Sequence, residues 1–309
     1  MSARSLAKLT ALLCFALLLA GGLVHATGSG MACGPDWPLC KGEAFPAFEP
    51  GVGFEHYGHR FLAATVATLT LVLAILCFRR RSAEPRLRGL AVGAVALVVI
   101  QALLGRYIVV WHLPLLVKAV HLAVSMAFFA TLLALAWRLG QRGRARPEPA
   151  LDRATRRAVA AAALLVYLQI LLGALVRHTS SGLACQTFPL CGGALWPAFG
   201  PGRLHMAHRL GALLVAAVVL GVSLRAARGL RGAGALRALA LAAPVLVIAQ
   251  IALGVLSVLS LLGVATVTAH LGTGALLLAD LASLWLARAP LLATAPEAPV
   301  GARPAEVRS

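Results

Sequence analysis

Charge is what this chain has least of. Only 12% of its 309 residues are Asp, Glu, Lys or Arg, and just 10 are acidic. Soluble domains carry roughly 25% charged residues, so a water-facing globular enzyme is excluded. The 60% apolar content instead indicates an all-α integral membrane protein. Long polar stretches are scarce as well. Apolar runs at 6–26, 58–78, 88–110, 115–137, 157–177, 205–225, 236–258 and 264–287 each reach the length of about 20 residues that spans a bilayer as a helix. These eight runs leave no room for a soluble catalytic domain.

The few charges are of one sign, giving a formal net charge of +18. Their distribution excludes nucleic acid as the partner and fits membrane lipid. With the N-terminus in the cytoplasm, 21 of the 28 basic residues face inward, among them Arg79, Arg80, Arg81, Arg138 and Arg142. That bias sets an N-in, C-in topology in a cell inner (cytoplasmic) membrane. The first apolar run has the look of a cleaved signal. However, GGLVHATGSGMAC at 21–33 aligns with GALVRHTSSGLAC at 173–185, which closes an internal helix, so the first run is read as a retained helix.

That alignment is one part of an internal duplication. His59 and His121 recur as His208 and His270 at an offset of 149 residues, and His56, Gln101 and Gly105 recur as His205, Gln250 and Gly254 at the same offset. An even number of helices per copy makes the halves parallel repeats, two duplicated four-helix bundles. The chain divides into an N-terminal half at 1–140, a cytoplasmic linker at 141–156, a C-terminal half at 157–290 and a disordered cytoplasmic tail at 291–309.

Ionisable side chains in lipid-embedded helices need a partner or a task. Each half carries one histidine early in its second helix and one early in its fourth. The two imidazoles lie at similar depth and can approach one haem iron from opposite sides. A proton-relay pair is the competing reading. His56 and His205 stand one turn before the ligands, as alternative ligands or acid–base groups. Arg60 and Arg209 follow the ligands directly and suit haem propionates or simple snorkelling. Gln101 and Gln250 lie mid-membrane, facing the macrocycle or bonding between helices.

The halves also differ. Glu55 precedes His59 by one helical turn, where the second half has Leu204 beside His205. This makes the first site the candidate for chemistry and the second a structural or electron-transfer haem. Long loops at 27–57 and 178–204 each hold two cysteines. In an oxidising compartment a disulfide within each loop is expected, Cys33–Cys40 and Cys185–Cys191. Cys14 and Cys77 are read as small core residues.

Eight helices in two parallel halves, histidines on the second and fourth helix of each, His-Arg at 59–60 and 208–209, and paired loop cysteines together resemble the haem A synthase family over residues 5–288. The resemblance implies haem b as cofactor on His208 and His270 and haem O as substrate on His59 and His121. It implies an oxidoreductase that converts the C8 methyl of haem O to a formyl group by successive hydroxylations with water, for haem-copper oxidase biogenesis. Implied partners are a haem O synthase and an unidentified electron acceptor. The family's acid stands three residues before the first histidine, where this chain has His56, so Glu55 or His56 is the catalytic candidate. The family's first-loop disulfide has been suggested to accept electrons, and a structural staple is the simpler reading. A di-haem b cytochrome moving electrons from quinol also accounts for four histidines, but not for Glu55 or the cysteine loops.

Overall fold

The described residues form eight helices, each long and apolar enough to cross a membrane. The computed structural model describes residues 2–43, 53–79, 85–111, 115–141, 151–232 and 234–287, the side chains of 53–56 and 141 excepted. The helices are α1 (Ala3–Ala26), α2 (Gly53–Arg79), α3 (Pro85–Val110), α4 (Leu115–Gln141), α5 (Arg153–His178), α6 (Gly200–Gly229), α7 (Gly234–Leu259) and α8 (Val264–Leu286). Among the described residues there is no strand, only two isolated bridges, Cys40 with Glu43 and Cys191 with Ala194. Most of the linker expected at 141–156 and the whole tail expected at 291–309 lie outside the described residues.

Most helices overrun the apolar spans read from sequence. The clearest case is α6, which begins at Gly200, with Pro201 in its first turn, rather than at 205. A helix continues while its backbone hydrogen bonds continue, and proline fits the first turn because the N–H it lacks has no acceptor there. Hydropathy marks only the part in hydrocarbon. Caps fix other ends. Ser2 accepts from the backbone N–H of Ser5 at 3.1 Å, and Asp152 accepts from that of Thr155 at 2.9 Å. Hydrogen bonds from Thr155, with Arg225 nearby, hold the Asp152 carboxyl below its ordinary range.

The chain leaves α1 and α5 by the same route. Thr27 donates its hydroxyl to the Leu23 carbonyl at 2.9 Å, and Thr179 donates to Leu175 at 2.7 Å. The next residue turns left-handed, Gly28 in one copy and Ser180 in the other, and a 3₁₀ turn follows, Ser29–Met31 or Ser181–Leu183. Disulfides Cys33–Cys40 and Cys185–Cys191 close both loops.

Helices α1 to α4 pack around a ring, each on the next and α4 on α1, and α5 to α8 do the same. Contacts of α8 with α1 and α4, and of α4 with α5, join the two groups. Their shared core includes Met126, Leu132, Leu277 and Leu281, with Phe15 and Phe129 rings 6.1 Å apart. Tyr167 of α5 donates to the Ala123 carbonyl of α4 at 3.0 Å, across that seam. Large apolar side chains also cover the outside, such as Leu12, Leu116 and Val245, each about two-thirds exposed. A water-soluble monomer rarely shows so much contiguous apolar surface, whereas hydrocarbon accommodates it.

Candidate functional site

The four repeated histidines sit on the even-numbered helices, and each imidazole rests on a glycine of the odd-numbered helix before it. A Cβ on Gly21 would stand 3.2 Å from Cε1 of His59, and one on Gly105 would stand 3.7 Å from His121. One on Gly173 would stand 2.9 Å from Cε1 of His208, and one on Gly254 3.1 Å from His270. Without a side chain the odd helix comes close enough to form the back wall of each imidazole slot, the use membrane helices make of small residues. Three of the four contacts leave no room for a methyl without moving the ring.

His208 and His270 face each other with ring centroids 6.4 Å apart and planes at 76°. Two metal–nitrogen bonds of about 2 Å, plus about 1 Å from each nitrogen to its ring centre, span about 6 Å, so one iron fits between them. Nδ1 of His270 lies 3.0 Å from the Gln250 backbone carbonyl. A proton there donates to that oxygen and leaves the Nε2 lone pair for a metal, the usual support for a ligating histidine. The Gln250 amide nitrogen lies 3.4 Å from Nε2. For His208 the support comes from Gln169 of α5. Its amide nitrogen donates to the His208 carbonyl at 2.7 Å and lies 2.9 Å from Nδ1.

The first pair is held differently. His59 and His121 lie within electrostatic reach of one another, but Nδ1 of each is buried without a close hydrogen-bond partner, and only the Leu17 backbone lies at longer reach of the His59 ring. Gln101 donates to the backbone carbonyl of His121 at 3.0 Å and to the Ser125 hydroxyl, and so grips the helix rather than the ring. Its repeat partner Gln250 reaches a ring nitrogen and Gln101 does not. The repeat position of Gln169 is Leu17, which has no amide to offer.

The two arginines beside the ligands reach into the loops. Arg60 donates to the carbonyl of Asp36 at 2.8 Å and to that of Leu39. Arg209 donates to the carbonyl of Thr187 at 2.7 Å and to that of Cys185, and its guanidinium lies 4.1 Å from the Phe188 ring centre. Both therefore tie a disulfide loop to the helix that carries a candidate ligand. His205 is buried one turn before His208. Glu55 and His56 fall on the first turn of α2, and their side chains lie outside the described residues.

Among the described residues no three His, Cys, Asp or Glu side chains gather as a metal cluster. A bare transition-metal ion would find two protein ligands here. An iron that brings its own in-plane nitrogens needs only those two, so the donor set fits haem.

Sequence reasoning missed Gln169 and the glycine role. Gln169 was visible as a polar residue in an apolar run, but it has no counterpart at the repeat spacing. A role such as that of Gly173 exists only once two helices meet.

The family model for COX15-CtaA, described as cytochrome oxidase assembly protein, matches residues 47–282. A protein named heme A synthase from Symbiobacterium thermophilum is 37% identical over 270 residues, covering 85% of this chain and 87% of its own length. Proteins of the same name from Bacillus licheniformis and Shouchella clausii are 32% and 33% identical, covering 86% and 82% of this chain and 89% and 85% of their own lengths.

Proposed function

This chain belongs to the COX15-CtaA family of cytochrome oxidase assembly proteins, and from that premise we propose that it is a haem A synthase, an oxidoreductase that converts haem O to haem A. The protein is multi-pass in the cytoplasmic membrane, with both termini inside and the disulfide loops outside. It forms two parallel, duplicated four-helix bundles, and its product serves haem-copper oxidases.

In this reading the halves divide the work. His208 and His270 hold haem b permanently, and His59 and His121 hold the substrate haem O. The observation that carries the division is the asymmetry at Nδ1, closely contacted in both C-terminal imidazoles and without a close partner in both N-terminal ones. Fixed ligands suit a resident cofactor. Unbraced ligands suit a molecule that must enter, react and leave. Gln169 braces the turn of α6 that carries His208 by donating its amide N–H to the His208 carbonyl, with Nδ1 alongside. Haem b, when bound, supplies a one-electron redox centre.

The reaction replaces a methyl group by a formyl group. One water supplies the oxygen, four protons are released, and four electrons pass to an external electron acceptor that the reaction requires as its oxidant. His59 and His121 orient haem O so that its C8 methyl faces the start of α2. Glu55 or His56, on the turn before His59, removes the protons. Gln101 and Ser125 fix the helix turn that carries His121, and Arg60 and Arg209 hold the loops over the two sites.

Paired substitutions test the division. His208→Ala with His270→Ala abolishes the haem b absorbance of the purified protein. His59→Ala with His121→Ala keeps that absorbance and stops haem A formation. Equal loss of haem b from both pairs would contradict it.

A further inference from the structure

Two more imidazoles meet away from the four repeated histidines. His25 lies in the last turn of α1 and His178 ends α5, and their ring centroids stand 4.6 Å apart with planes tilted by 32°. α1 and α5 come from different groups of four and are not among the closely packed helix pairs, so this contact bridges the halves at the loop-bearing end. Nε2 of His25 and Nδ1 of His178 are both buried and lack hydrogen-bond partners.

Two cationic side chains lie near them. Arg177, beside His178, and Lys118, in the first turn of α4, lie within electrostatic reach of both rings. All four side chains are half-buried. Neither Arg177 nor Lys118 has an ion pair or hydrogen bond among the described residues, and no described carboxylate acts on either imidazole. The duplication itself supplies part of the cluster, because His25 and Arg177 occupy one column of the repeat (GGLVH and GALVR). Partly desolvated positive groups drawn together without a counter-charge repel one another, and an anion entering between them relieves that repulsion.

The position identifies the anion. Gly21 and Gly173, which back His59 and His208, precede His25 and His178 by four and five residues on the same helices. At about 1.5 Å per residue the cluster sits roughly 6–8 Å beyond the ligand level, toward the loops. Carboxylates on short side arms of a macrocycle held at that level reach this height. We propose that His25, His178, Arg177 and Lys118 form an anion-binding site for haem propionate carboxylates at the junction of the two halves. The inference rests on the reading that the histidine pairs hold haem.

The test titrates the full-length, haem-depleted protein with protohaem and with its dimethyl ester, whose propionates carry no charge. The expected result is a low-spin bis-imidazole spectrum with both, and ester binding weaker by about tenfold or more, the effect of losing charge-assisted hydrogen bonds. Arg177→Gln with Lys118→Gln then lowers protohaem affinity toward that of the ester and leaves ester affinity unchanged, which also shows that the variant is folded. If the wild type gives no bis-imidazole spectrum with either haem, the haem reading fails and this inference fails with it. If the wild type binds both haems alike, or the variant loses equal affinity for both, the inference alone is overturned. A variant effect seen only in phosphatidylglycerol nanodiscs, and absent in phosphatidylcholine ones, assigns the cluster to lipid phosphate and also overturns it.

Discussion

Gly254 of α7 and His270 of α8 are in close contact, and a Cβ on the glycine would stand 3.1 Å from Cε1 of the imidazole. The same wall backs His208, with 2.9 Å at Gly173, and opens to 3.7 Å at Gly105 behind His121. This gradation gives a graded series of variants. Gly173→Ala and Gly254→Ala push a ring off its axis and lower haem b retention by about tenfold, whereas Gly105→Ala makes an ordinary van der Waals contact and leaves haem content unchanged. Pigment content and the low-spin spectrum of purified protein measure this. Equal loss from all three variants would mean that the glycines serve helix packing alone.

Gln169→Leu copies the first half's Leu17 into the second half. The variant removes the amide that supports His208 and adds no bulk to the slot. Haem b affinity falls by roughly tenfold or more, while the helix content stays that of the parent. Unaltered affinity would remove the physical basis for calling the second pair the permanent site.

How much of this was legible in the sequence follows from what each residue does locally. His59, His121, His208 and His270 stood out because an ionisable group in an apolar run is conspicuous and the offset of 149 tied the pairs together. The disulfides were legible because each lies within one short loop. Gln169 was hidden by its lack of a repeat partner, and Gly173 because its role depends on the distance between two helices. His25 aligns with Arg177 and His178 with Ala26 in the matched segments 21–33 and 173–185, so neither histidine has a histidine counterpart in the repeat to mark it. The start of α6 at Gly200 was missed because hydropathy detects lipid and not helix.

Removing the loop disulfides separates a staple from an electron carrier. Each bridge closes a short loop, with sequence separations of 7 and 6, and loop closure of that size contributes about 2 kcal/mol. Cys185→Ala with Cys191→Ala, or Cys33→Ala with Cys40→Ala, lowers the unfolding temperature and leaves turnover of the surviving folded protein near that of the parent. Folded protein lacking Cys33 and Cys40 with no turnover would instead show that the first bridge carries electrons.

Glu55→Gln removes a carboxylate from the first turn of α2, one turn before His59, while keeping its shape. Loss of an acid–base group typically lowers the rate by about a hundredfold or more, so haem A formation nearly stops while bound haem stays at the parental level. If His56 is the proton acceptor, His56→Gln gives that result and Glu55→Gln retains activity.

The most direct measurement is of the haems extracted from membranes of cells that express this chain together with a source of haem O. The account predicts haem A in those membranes, absent when the chain is omitted and when His59 and His121 are both Ala. Membranes holding only haem b and unconverted haem O, from a chain that nonetheless binds haem at both pairs, would contradict it and leave a di-haem cytochrome.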